Sequence, residues 1–375
     1  MRVAPTKRIY RSFPKIGREV LILRTTDENT RNGEGSFLRL KDGSIFYAYT
    51  AFTTDNYHDD CRAELRAIRS YDEGESWTDP ELLIPTPEDA MNIMSVSLIR
   101  MQNGDVGLFY LKKERFQGGV ISRVLLSRSG DECRSFGEPM IVTPERCRFV
   151  LNNDRVIRLS NGRLLFGVAH RYPDAIAAFD TEKTTGVARF FLSDDDGASF
   201  REAGSMLRSP IPGDRVGLQE PGLFERADGR VMAYFRTLLG CQYVAYSDDA
   251  GESFSDPQPD FRFTSPQSPM LIKSVGPYTV AVFNPIPSHA ANTLPFGMDR
   301  TPFMVSASDD GGLTFPRSYL LEDDLTATYC YPAIIETRDG GFLVAYYHSD
   351  HTEQFLNVGK IAKVSFEEIK KEELR

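Results

Sequence analysis

The chain has 375 residues, a net charge of −9 and no dense run of lysine and arginine, which argues against a footprint for a phosphate backbone. No apolar run reaches the roughly 18 residues that cross a bilayer, so no membrane partner is expected. The opening "MRVAPTKRIYRSF" lacks the apolar core of a secretory leader, so the default expectation is cytoplasmic, with periplasmic or secreted reserved for a chain that has lost a leader.

Read in chain order, two phrases alternate. Turn pairs between apolar, strand-like runs fall at Asp42-Gly43, Asn103-Gly104, Asn161-Gly162, Asp228-Gly229, Val275-Gly276 and Asp339-Gly340, and Asn-Gly or Asp-Gly in that setting is the strongest short hairpin signal. Each of the first five is followed, 18 to 32 residues downstream, by a box of the form Ser-x-Asp-x-Gly-x-Ser/Thr-aromatic. The box serines are Ser70, Ser129, Ser193, Ser247 and Ser308, and the copy "SGDECRSF" carries Cys133 in place of glycine. Intervals of 59, 64, 54 and 61 residues between them mark an array of similar units. Each unit predicts strand, tight hairpin, strand, loop, strand, box turn and short outer strand. Six such four-stranded sheets around an axis bury their faces and leave short edges, so the expected fold is all-β, a six-bladed β-propeller forming one domain over residues 1–375. The sixth hairpin has no box after it, and "EVLILRTT" (Glu19–Thr26) is expected to complete that sheet from the N-terminal end. Only the last residues, "FEEIKKEELR", read as helix.

The box is acidic and glycine-rich, yet a site used once is not written five times. Its aspartate suits backbone N–H groups of its own turn, its glycine permits positive φ, and its aromatic suits the gap between sheets. Five cysteines, Cys61, Cys133, Cys147, Cys241 and Cys330, form no C-x-x-C pair. They read as buried thiols in a reducing compartment, and neither metal nor cofactor is expected.

Function is therefore sought on the opposite face, where the first strands start and the loops after the second strands return. Those segments include "GEGSF", "NNDRV", "QEPGL" and "CYPAI" among the strand starts, and the loops hold all five histidines, His58, His170, His289, His348 and His351. A polar, concave face is expected there.

These residues resemble the sialidase (neuraminidase) superfamily, six-bladed propellers with such Asp boxes, and the resemblance spans essentially the whole chain. It implies a retaining exo-glycosidase that uses a tyrosine nucleophile activated by a glutamate, an aspartate acid/base and three arginines holding a substrate carboxylate. "YPAIIETRDG" is similar to the nucleophile segment and implies Tyr331. "QEPGLFERADGRVMAYFRT" implies Glu220 and Arg236, and "MDRTPFMVSASDDGG" implies Arg300. "TTDNYHDDCRAELRAIRS" stands where the acid/base loop belongs, with Asp60 in that role and Asp59 as the alternative.

The chain departs from the family at the first arginine, where it reads "NGEGSF" with Glu34 in the place of the cation. A carboxylate there repels an anionic sugar, so sialic acid is not the expected substrate unless Arg31 or Arg155 substitutes. The expected partner is a glycan, bound by Arg236, Arg300, Glu34 and Arg155 together with His58, His170, His289 and His348. Two other readings stay open: a non-catalytic glycan-binding propeller using Tyr49, Tyr57, Tyr347 and the histidines, and a polysaccharide lyase acting on a uronate.

Overall fold

The computed structural model describes residues 13–54, 58–143, 145–171, 185–287, 299–349 and 356–370. It is all-β apart from a short C-terminal helix. Strand β1 (Arg18–Leu23) is followed by a first sheet, β2 (Arg31–Arg39), β3 (Ile45–Phe52), β4 (Ala63–Ser70) and β5 (Glu81–Ile84). A second holds β6 (Asn92–Arg100), β7 (Val106–Phe116), β8 (Gly119–Ser129) and β9 (Met140–Ile141). After β10 (Arg148–Val150), a third holds β11 (Ile157–Arg158), β12 (Leu164–Arg171), β13 (Val187–Ser193) and β14 (Arg201–Leu207). The fourth is β15 (Gln219–Glu225), β16 (Val231–Arg236), β17 (Cys241–Ser247) and β18 (Gln258–Thr264). The fifth is β19 (Leu271–Val275), β20 (Tyr278–Phe283), β21 (Phe303–Ser308) and β22 (Arg317–Glu322). The last is β23 (Thr328–Thr337), β24 (Gly341–Ser349) and β25 (Val358–Ser365), with α1 (Phe366–Lys370) behind it.

All six turn pairs read from the sequence join the first two strands of a sheet. Strand β1 pairs antiparallel with β25 and so supplies the outer strand of the last sheet, as expected for the N-terminal run. Strand β10 has no counterpart in the sequence reading. It pairs parallel with β8 and antiparallel with β12, and fuses the second and third sheets into one nine-stranded sheet.

The boxes fold as their chemistry dictates. In the first, Ser70 Oγ donates to Asp72 at 2.9 Å and accepts from Gly74 N at 2.7 Å, while Asp72 accepts from Ser76 N at 2.9 Å. The pattern recurs at Ser129, Ser193, Ser247 and Ser308, and Cys133 holds the glycine's place at φ 65°. The box aromatics Trp77, Phe136, Phe200, Phe254 and Phe315 pack against apolar clusters, and those clusters fill the spaces between consecutive sheets. One cluster, with Tyr49, Leu343 and Ile361, joins the last sheet to the first.

A second set of links follows the same order. The backbone N–H of a hairpin in one sheet is accepted by the next: Lys41 by Glu132, Gln102 by Asp196, Ser160 by Glu225, Ala227 by the Gly311 carbonyl, and Gly276 by Glu336. Arg338 N, from the last sheet, is accepted by Glu73 of the first at 2.9 Å. Among the described residues the succession of contacts therefore returns to its start.

Candidate active site

Four of the first strands carry the same irregularity. The pairing register slips by one residue between Gly33 and Ser36 in β2, Met94 and Ser97 in β6, Gln219 and Gly222 in β15, and Cys330 and Ala333 in β23. At each bulge one non-glycine residue has positive φ: Glu34 at 50°, Ser95 at 61°, Glu220 at 44° and Tyr331 at 57°. Each stands nine residues before the turn glycine of its hairpin. Bulges re-aim side chains, and left-handed backbone at such residues is strain that the surrounding sheet must hold in place. Here the four re-aimed side chains converge on one cavity of about 70 Å³, whose walls also include Asp59, Lys113, Arg148 and Asn152. That volume holds about two waters.

Tyr331 Oη donates to Glu220 Oε1 at 3.1 Å, and Arg236 donates to the same carboxylate oxygen at 2.9 Å and to Tyr331 Oη at 3.3 Å. Glu220 Oε2 is buried and has no hydrogen-bond partner among the described residues. Burial, and then the Glu220 charge, push the Tyr331 phenol far above its ordinary value, with Arg236 and Arg300 opposing. The phenol is neutral, and the group positioned to take its proton is already in contact with it. The Arg300 guanidinium lies 5.7 Å from the centre of the Tyr331 ring and donates towards Cys330 Sγ at 3.4 Å.

Behind the lining residues Glu34 and Asp59, Arg31 is committed to both. It donates to Glu34 Oε1 at 2.6 Å, Asp59 Oδ1 at 2.6 Å and Tyr347 Oη at 2.9 Å, and packs against the rings of Phe52 and Tyr347. The second oxygen of Glu34 accepts from Ser95 Oγ at 2.6 Å. Burial raises the Glu34 carboxyl above its usual range, with Arg31 only partly offsetting it. For Asp59 the balance is reversed: burial would raise it, but Arg31 and then Lys113 hold its carboxyl well below the usual range.

Not all of the residues read from the sequence line this cavity. Asp59 lines the cavity, whereas Asp60 is not among its lining residues and reaches Lys113 at 3.5 Å; adjacent residues of one chain point different ways, and spacing could not rank them. Arg155 is also away from the cavity. It is buried and donates to Tyr234 Oη at 2.9 Å, so it braces the third sheet against the fourth. Among the histidines, His58 is exposed at the loop surface, His170 packs on Phe149 with its imidazole lowered by burial and then by Arg189, and His348 packs on Tyr329. None of the three lines the cavity. His289, His351 and Tyr57 lie outside the described residues. Tyr49 and Tyr347 are 1% and 0% exposed, so neither offers a stacking face for sugar.

The sequence reading missed Ser95, Lys113, Arg148 and Asn152. The nine-residue spacing to the turn glycine points to Ser95; Arg148 sits on the unforeseen strand β10 and carries no such signal.

The fold has close structural likenesses. A protein of unknown function from Dyadobacter fermentans superposes with a TM-score of 0.71 at 18% identity, covering 92% of this chain and 99% of that one. The leech intramolecular trans-sialidase in complex with 2,7-anhydro-Neu5Ac gives 0.71 at 14% identity, covering 94% and 70%. The intramolecular trans-sialidase of Ruminococcus gnavus in complex with oseltamivir carboxylate gives 0.71 at 13%, covering 95% and 98%. No curated protein matches by sequence. Residues 90–344, more than half of the chain, match the BNR repeat-like domain, and the chain belongs to that family.

Proposed function

We propose that this protein is a six-bladed β-propeller glycoside hydrolase of the sialidase superfamily, a single domain that releases a terminal sugar with retention of configuration. The observation that carries the reading is the contact of Tyr331 Oη with Glu220 Oε1 at 3.1 Å, with Arg236 bonded to both. The sugar enters from the open side of this cavity, whose lining includes Tyr331 and Glu220. Tyr331 attacks the anomeric carbon as Glu220 takes the phenolic proton, and Arg236, hydrogen-bonded to the phenol oxygen, stabilises the charge developing there. Asp59 serves the leaving group and then activates water for the second step.

Sialic acid is a poor fit to this site. Arg31, the cation nearest the place of the family's first arginine, is occupied by Glu34 and Asp59, so a third charge-assisted contact worth about 1.5 to 3 kcal/mol is missing. Buried Tyr49 and Tyr347 speak against the purely glycan-binding alternative. The test is hydrolysis of a panel of neutral, uronic and sialic aryl glycosides by wild type and Tyr331→Phe. Turnover lost in the variant, with sialosides the slowest class, is expected. Turnover retained by Tyr331→Phe removes the mechanism, and an unsaturated product absorbing in the ultraviolet replaces it with elimination.

A further inference from the structure

Two arginines stand directly opposite each other at the edge of the cavity. Arg148, on β10, is the register partner of Arg171, at the end of β12. Directly opposed side chains in an antiparallel pair have Cβ atoms about 4.5 to 5.5 Å apart, and like charges placed there are unfavourable. Three other cations around the site are matched by carboxylates: Arg31 by Glu34 and Asp59, Arg236 by Glu220, and Lys113 by Asp60. Arg148 lines the cavity beside Asn152, Glu220 and Tyr331, and its guanidinium meets no carboxylate among the described residues. Arg171 donates to the neutral Gln219 Oε1 at 2.5 Å, and its Nε is buried without a partner among the described residues. Asn152 Nδ2 is likewise buried and unpartnered there. Burial, then Arg148, then Arg236 lower the Arg171 guanidinium, with Glu220 opposing. Arg148 in turn acts on Asp59 across the cavity, yet among the described residues neither arginine forms an ion pair, so one wall of the cavity gathers positive charge and unpartnered donors.

We infer that Arg148 and Arg171 form an oxyanion clamp that holds the acidic substituent of the substrate sugar against the β10 wall, with cations other than the occupied Arg31. An oxyanion bridging the pair converts an unfavourable contact into two charge-assisted ones. The inference rests on the reading of this cavity as a sugar site, and it narrows the substrate to sugars carrying a carboxylate or a sulfate. It also reconciles a basic wall with the loss of a free Arg31: the acid group is accepted, at another place. Lysine cannot reproduce the planar fork, so Arg148→Lys should keep the charge and lose part of the grip.

The experiment is calorimetric titration of wild type, Arg148→Gln, Arg148→Lys and Arg171→Gln with D-glucuronate, D-galactose 6-sulfate and D-galactose at low ionic strength. Wild type is expected to bind at least one of the two acidic sugars tenfold or more tightly than galactose. Arg148→Gln and Arg171→Gln should erase that preference with galactose binding unchanged, and Arg148→Lys should retain a part. The two acidic probes decide between carboxylate and sulfate. In the absence of sugar, Arg148→Gln should melt no lower than wild type, because it relieves a like-charge contact; a purely structural arginine would lower the melting temperature. No preference in wild type, or a preference that survives both glutamine variants, overturns the clamp. Acid-selective binding without turnover of any aryl glycoside would leave the clamp standing and remove the hydrolase reading, whereas turnover without acid selectivity does the reverse.

Discussion

Tyr331, Glu220 and Arg236 form a unit in which Tyr331 and Glu220 are each placed by a local bulge and Arg236 by the end of β16. Replacing Tyr331 with phenylalanine removes one hydroxyl and leaves the Glu220–Arg236 pair intact. Turnover should fall to background while stability changes by about 1 kcal/mol or less, read from paired rate and urea-denaturation measurements. Arg31→Ala should behave in the opposite way. It leaves Glu34 buried at 4% exposure without its cation, and removing one partner of such a pair costs about 3 to 5 kcal/mol, visible as a lower denaturation midpoint. Asp59→Asn should slow substrates with poor leaving groups far more than dinitrophenyl glycosides, since only the former need a proton; equal slowing of both would place Asp59 outside leaving-group chemistry. Tyr331 and Glu220 are singled out through the resemblance of their segments, "YPAIIETRDG" and "QEPGLFERADGRVMAYFRT", to those of the sialidase superfamily. The sequence could not separate Asp59 from Asp60, which differ only in the direction a loop turns, nor show that Arg31 is consumed by its neighbours.

At the scale of the element, the repeated hairpin and box were readable because each rests on local chemistry: a turn glycine, a serine and an aspartate satisfying their own backbone. Strand β10 was not readable. It has only three residues, paired with β8 and β12, and no alternation in three residues announces a strand. The arginine forks beside the boxes were also invisible, being contacts between segments far apart in sequence. Arg100 pairs with Glu132 through both nitrogens, and this fork, ahead of Lys41, holds the Glu132 carboxyl at about 2 against an ordinary 4.5. A carboxyl depressed in the folded state adds stability above the unfolded value, and that stability is lost as pH falls from about 4.5 to about 2. Glu132→Gln should therefore be less stable than wild type at pH 6, with the difference shrinking as pH falls toward 2.5; thermal melts across that range check it. A difference independent of pH would mean that the fork contributes through shape alone.

Across the whole molecule, the apolar clusters and the hairpin-to-sheet hydrogen bonds run from the first sheet to the last and back, through Arg338 and Glu73. The outer strand of the last sheet comes from β1, so the two ends of the described chain are bound into one sheet. Deleting residues 18–23 exposes the edge of β25 and should abolish cooperative unfolding or lower the melting temperature by many degrees; an unchanged melt would show that β1 is an ornament on a ring closed without it.

The central claim is that Tyr331 is the residue that bonds to sugar. Mass spectrometry of the protein after incubation with activated fluorinated aryl glycosides, neutral and acidic, tests it most directly, because fluorine slows the second step and lets the covalent intermediate accumulate. The account predicts a single glycosyl adduct on the peptide containing Tyr331, absent from Tyr331→Phe. An adduct on any other residue, or none with any of the glycosides, would contradict it.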